Sequence, residues 1–120
     1  IANPAHAPYG RAARQALEQA GAWTALEGRL VLGENVSQAA QFAASGNAAA
    51  GLFAYSLTFT PAVAGKGRFA LVPESAHAPL RQRMALVKGA GEEARAFHRF
   101  LQGPVARGVF SRYGFTLPGP

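Results

Sequence analysis

Cysteine is absent from all 120 residues, which excludes disulfides, thiol catalysis and cysteine-ligated zinc. Such a chain suits an oxidising compartment, although a cytosolic protein can lack cysteine too. Aspartate is missing as well, and the six acidic residues are all glutamate. Carboxylate sites for magnesium or calcium draw heavily on aspartate, so none is expected. The three histidines, His6, His77 and His98, lie far apart and lack metal-ligand spacing. The longest apolar runs, such as AAAGLFA at 48–54, fall well short of the ~20 residues of a membrane-spanning helix. There is no G-x-S-x-G and no G-x-x-x-x-G-K-[ST]. Gly65-Lys66-Gly67 is too short for a phosphate loop, and Glu92-Glu93 reads as a solvated helix start. No catalytic constellation remains. The chain reads as a protein that is not an enzyme, with no metal and no cofactor.

What is present is a chain long enough for one compact domain, burying roughly two-thirds of its unfolded surface. Half the residues are hydrophobic and 15% are charged, the balance of a globular protein. The formal net charge is +6, which raises the question of an acidic partner. The basic residues, from Arg11 to Arg112, are scattered, and the helical ones mostly fall opposite the apolar stripe. A nucleic-acid binder concentrates such charge on one element, so none is expected as partner. A mildly attractive field for a small anion needs no clustering.

The local patterns alternate. Ala13, Ala16, Leu17 and Ala20 give residues 10–20 a helical apolar face that stops at Gly21. Residues 22–26 add a turn of helix with Trp23 directed to the core. Leu30-Val31-Leu32 reads as a buried strand ending at Gly33. Asn35 is a good N-cap, Gln38 resembles the return partner of a capping box, and a helix is predicted from about Val36 to Ser45. Strands are predicted at 50–56, 68–72 and 83–88. Two helices follow, 92–102 and one opened by Pro104, the second closed by Gly114. The expected class is therefore α/β, with a parallel or mixed sheet flanked by helices.

Two helix mouths stand out, at Tyr9-Gly10 and at Asn35-Val36. In an open α/β sheet such turns gather at the carboxyl edge of the strands. Two N-termini aimed at one point would offer backbone donors and two positive dipole ends to a small oxyanion. Two ordinary capped helices would carry the same sequence signals, and spacing alone leaves both readings open. The Tyr9 hydroxyl reaches either an anion or water. Glu34 is expected to face solvent or an arginine.

The stretches Asn3-Pro4-x-His6-Ala7-Pro8-Tyr9-Gly10-Arg11, Gly33-Glu34-Asn35-Val36-Ser37-Gln38, Ser45-Gly46…Gly51 and Arg112-Tyr113-Gly114-Phe115 occur in this order. In order and spacing they resemble the carboxy-terminal half of the periplasmic molybdate-binding proteins that serve molybdate ABC transporters. The resemblance implies a type II two-lobed clamshell closing on molybdate or tungstate by hinge motion, through neutral donors. It implies a periplasmic location, a membrane permease as partner and an anion that is cargo. Carried over by position, the ligand contacts are Tyr9 and the backbone of Val36, with Asn35, Ser37 and Tyr55 as weaker candidates. The tyrosine that some members supply from the strand after Gly51 is replaced by Ala54. Period-two alternation points the neighbouring Tyr55 to the opposite face.

In that frame, residues 1–72 are part of the second ligand-binding lobe and 73–82 are a crossover or hinge. Residues 83–120 are a strand and helices that pack on a first lobe this chain does not contain. Ile1-Ala2 then looks like the tail of a strand, and no leader is present. Phe97, Phe100, Leu101, Val105, Val109 and Phe110 would need covering, by that lobe, by a second copy or by strand exchange. An alternative from another class stays open: an oxyanion- or effector-sensing, oligomerising lobe of a regulator with the same fold.

Overall fold

The structure, a computed structural model, describes residues 1–119. It divides into two compact units, Ile1–Leu80 and the residues from Arg81 onward. The first holds helices α1 (Pro8–Gln19), α2 (Trp23–Leu26) and α3 (Val36–Ala44). Short 3₁₀ turns follow at Glu27–Arg29, Tyr55–Phe59 and Glu74–Ala76. The second unit holds α4 (Glu92–Gln102) and α5 (Pro104–Arg112), packed on each other.

The expected mixed sheet flanked by helices is not formed. Among the described residues the only β feature is one parallel bridge, between Ala2 and Gly33. None of the segments predicted as strands, 30–32, 50–56, 68–72 and 83–88, joins a ladder. A strand is a paired object: apolar pattern specifies its faces, but its N–H and C=O groups need a neighbour at the right register. Among the described residues 50–56, 68–72 and 83–88 find none, and 30–32 reaches only the isolated bridge beside residues 1–3. At 55–59 a local alternative wins outright. The Thr58 and Thr60 hydroxyls donate to the Tyr55 and Leu57 carbonyls, each at 2.7 Å, and the backbone closes into a 3₁₀ turn.

The helices follow their sequence signals more closely. α1 has Pro8 at its first position and buries Gly10, Ala12, Ala13 and Ala16. Its outer face carries the Arg14–Glu18 pair at 2.7 Å, and the Arg14 guanidinium lies 4.8 Å from the half-buried Trp23 ring. Gln15 and Gln19 tie α1 to the loop beyond residue 74, accepting from the Ala78 amide and donating to the Ser75 carbonyl. α5 ends in a Schellman motif. The Phe115 amide bonds to the Phe110 carbonyl and that of Gly114 to the Ser111 carbonyl, both at 3.0 Å. Gly114 takes φ +79°, and the rings of Phe110 and Phe115 meet edge-on at 5.9 Å. A side chain at Gly114 would oppose that left-handed turn.

Alanine dominates the buried set: Ala2, Ala7, Ala12, Ala13, Ala16, Ala39, Ala40, Ala54 and Ala106. Large apolar side chains stay exposed instead, among them Phe69, Leu71, Val87, Phe97, Phe100 and Val105. The small core side chains let backbone approach backbone. Gly10 shows how closely: a Cβ there would collide with the Ala2 carbonyl oxygen and lie 2.8 Å from the Asn3 carbonyl carbon.

Gly10→Ala is therefore expected to destabilise the fold by about 1–3 kcal/mol, as overpacking against backbone does. Gly28→Ala, where nothing lies within 4 Å, should stay within about 0.5 kcal/mol of the parent. Urea unfolding of both variants checks this, and equal midpoints would contradict the packing described.

Candidate functional site

The site is built on the pairing around the Ala2–Gly33 bridge. The Ile1 nitrogen donates to the Val31 carbonyl at 3.0 Å, the Gly33 amide to the Ile1 carbonyl at 2.9 Å, and the Asn3 amide to the Gly33 carbonyl at 2.8 Å. Residues 1–3 and 31–33 thus run side by side in the same direction. Each then turns into a helix, so two helix N-termini emerge next to one another.

The first turn is tightened by Asn3. Its side-chain oxygen accepts from the Ala5 amide at 3.0 Å, and its carbonyl accepts from Ala7 at 2.9 Å. Pro8 then opens α1, with no side-chain cap. In the second turn Asn35 caps α3 by accepting from the Gln38 amide at 2.9 Å. The Gln38 side chain returns one residue earlier than a capping box would, accepting from the Glu34 amide at 2.7 Å. Ala2, Ala7 and Ala39 form one buried cluster joining the bridge, the first turn and α3.

Between the turns lies an open cleft of about 280 Å³, lined by His6, Ala7, Pro8 and Tyr9 from one side and Glu34, Asn35 and Val36 from the other. Three sequence-derived candidates, Tyr9, Asn35 and Val36, are brought together there. Ser37 is exposed and does not line the cleft. Tyr55 does not line it either. Its ring packs against Phe59 at 4.9 Å and Phe69 at 5.7 Å between centroids. Ala54 is buried.

Electrostatically the two mouths are uncompensated. Neither α1 nor α3 carries an acidic residue in its first turn, whereas α4 carries Glu92 and Glu93. The Asn35 cap is used on Gln38, which leaves the Val36 and Ser37 amides outside it, and a helix provides no carbonyl for its first amides. The positive end of each dipole therefore faces the cleft without a nearby carboxylate on its own helix. Glu34 is the exception at the rim. Its side chain is 81% exposed and lies 3.7 Å from His6 Nε2. No group of histidines and acids suited to a metal ion occurs among the described residues.

His6 and Glu34 are the lining residues that pattern reading overlooked as part of the site. They lie 28 positions apart and touch, His6 Nε2 being 3.1 Å from the Glu34 carbonyl oxygen. The only available signal was that both fall inside the two quoted motifs. A larger concavity of about 790 Å³ includes Arg11, Arg14, Glu18, Trp23 and Glu27 in its lining. Arg14 is already committed to Glu18 and Trp23, and the two carboxylates oppose an anion.

Residues 1–116 match the family described as bacterial extracellular solute-binding protein. The chain belongs to that family. Among its relatives, the molybdate-binding protein ModA of Rhodobacter capsulatus is 40% identical over 120 residues, covering 97% of this chain and 46% of that protein. ModA of Azotobacter vinelandii is 40% identical, with coverages of 98% and 47%. ModA of Escherichia coli strain K12 is 35% identical, with 98% and 45%. The chain spans about half the length of these curated relatives.

Replacing Asn35 by alanine removes the α3 cap, with an expected loss of about 1 kcal/mol. Gln38→Ala frees the Glu34 amide and should cost a similar amount, about 0.5–1.5 kcal/mol. The two side chains act on one turn, so the double variant should lose less than the sum. A thermal-unfolding cycle over the four proteins measures it, and strict additivity would contradict the shared turn.

Proposed function

We propose that the chain is the cleft-bearing part of the substrate-binding component of a molybdate ABC transporter. It binds molybdate or tungstate reversibly, performs no chemistry on it and delivers it to a membrane permease from the periplasm. The observation that carries this reading is the shared cleft at two helix mouths, lined by Tyr9 and Val36. Relatives matched over 97–98% of the chain bear the name molybdate-binding protein, which supports the choice of anion.

The physics is that of charge without counter-charge. A dianion loses its hydration on entering a cleft, and amide and hydroxyl donors with fixed dipoles replace that water. Lysine or arginine would hold the anion tightly, but neutral donors suffice and leave release fast enough for transport. In this reading the backbone of Val36 donates from the α3 mouth and the Tyr9 hydroxyl from the α1 side, with Asn35 and Ser37 as lesser contributors. Tyr55, engaged with Phe59 and Phe69, contributes least. Discrimination against the smaller sulfate then rests on cavity size, because its charge is the same.

The remaining donors belong to a first lobe that closes over the cleft by hinge motion. Residues 1–72 form part of the second lobe, 73–82 the crossover, and the residues from 83 onward, with α4 and α5, pack on the first lobe. Phe97 and Phe100 are 61% and 52% exposed here. Their stacked rings, 6.3 Å between centroids, supply apolar area for that contact.

Titration calorimetry of the two-lobed protein is expected to show tight binding of molybdate and tungstate and no binding of a neutral sugar. Silence with both oxyanions would overturn the reading. Tyr9→Phe should weaken molybdate binding by roughly 10- to 100-fold, the worth of a hydrogen bond to a charged group. Residues 1–120 alone should bind weakly, since half the donors are absent, and sub-micromolar affinity would contradict the two-lobe scheme.

A further inference from the structure

The two turns that flank the cleft are joined by a cross-link that pattern reading assigned to neither binding nor packing. His6 Nε2 stands 3.1 Å from the main-chain oxygen of Glu34. A carbonyl only accepts, so the ring nitrogen facing it carries the proton and donates. The same Glu34 residue is held from the other side, where its amide donates to Gln38 Oε1 at 2.7 Å. Both backbone groups of Glu34 are therefore engaged, one to the first turn and one to α3. The next two residues in the chain are Asn35 and Val36, which line the cleft.

We infer that His6 is a positioning residue: its hydrogen bond to the Glu34 carbonyl sets the spacing and tilt of the two helix mouths, and so the aim of the Val36 amide. This rests on the oxyanion reading above for its consequence, but not for its geometry. The bridge at Ala2–Gly33 fixes where the two segments begin. Beyond it each turn is held by its own local hydrogen bonds, and across the opening between the turns runs the hydrogen bond of His6. The imidazole spans that opening and closes a ring that runs through the bridge, the first turn, the histidine and the second turn. Donors preset in this way lose less freedom when the anion arrives.

The Glu34 carboxylate is not the element that matters. It lies 3.7 Å from the ring with both side chains more than half exposed, a setting in which ion pairs contribute little. Placed at the rim of an anion cleft, its charge opposes the ligand. The carbonyl and the carboxylate of one residue thus act in opposite directions, and substitution can separate them.

The test uses the two-lobed protein with His6→Ala, His6→Gln and Glu34→Gln. Glutamine can place an N–H donor close to where Nε2 stands, whereas alanine cannot. Molybdate titrations are expected to show a roughly three- to tenfold loss of affinity for His6→Ala. They should also show recovery of most of it in His6→Gln, and tighter binding by Glu34→Gln. A ligand-free arm follows the Asn35 and Val36 amide resonances by ¹H–¹⁵N NMR. They should move in His6→Ala and return toward the parent in His6→Gln. If the wild type ignores molybdate while the resonances behave this way, the transport reading falls and the cross-link stands. If His6→Ala leaves the resonances unmoved, if glutamine fails to restore affinity, or if Glu34→Gln loses as much as His6→Ala, the positioning role is overturned.

Discussion

Three hydrogen bonds between residues 1–3 and 31–33 carry the arrangement on which everything else in the first unit depends. Parallel pairing means that both segments point the same way at the same height, so whatever follows each one emerges at the same edge. Here a short turn and a helix follow both. The convergence of α1 and α3 at their N-termini is thus a consequence of strand direction and register. An antiparallel pairing would have sent the two mouths to opposite ends. The need for close approach explains the composition of this region: Gly10 and Gly33 have no room for a Cβ, and Ala2, Ala7 and Ala39 fill the space between with single methyl groups.

With the geometry set, the electrostatics follow from omissions. A helix start that faces solvent is commonly balanced by acids in its first turn, as α4 is by Glu92 and Glu93. α1 and α3 carry none there, and α1 lacks even a side-chain cap. The formal charge of +6 plays a background role, because no lysine or arginine lines the cleft. In the proposed oxyanion reading, attraction at this place would come from peptide dipoles, which are rigid and need no counter-ion.

The apolar side of the balance is uneven. Buried positions are mostly alanine, while phenylalanines, leucines and valines of the later segments stay exposed. Several of them, at 68–72 and 83–88, alternate as strands would, yet have no ladder to join.

Much of this was legible in the residues themselves. Asparagine before α3 and glycine after α5 act through their own backbone and side-chain geometry within a few positions, so local sequence places those ends, whereas α1 opens at Pro8, ahead of the helix predicted over 10–20. The family likeness was legible for the same reason, since its motifs are those turns. The sheet was misjudged because hydrophobic pattern encodes which face of a segment is apolar and not whether a partner strand exists. Only the tertiary structure decided that Tyr9 and Val36 share one cleft, that Tyr55 belongs to an aromatic cluster elsewhere, and that His6 reaches Glu34. Those facts rest on contacts across nearly thirty residues or on packing, and no periodicity within a short window carries information about them.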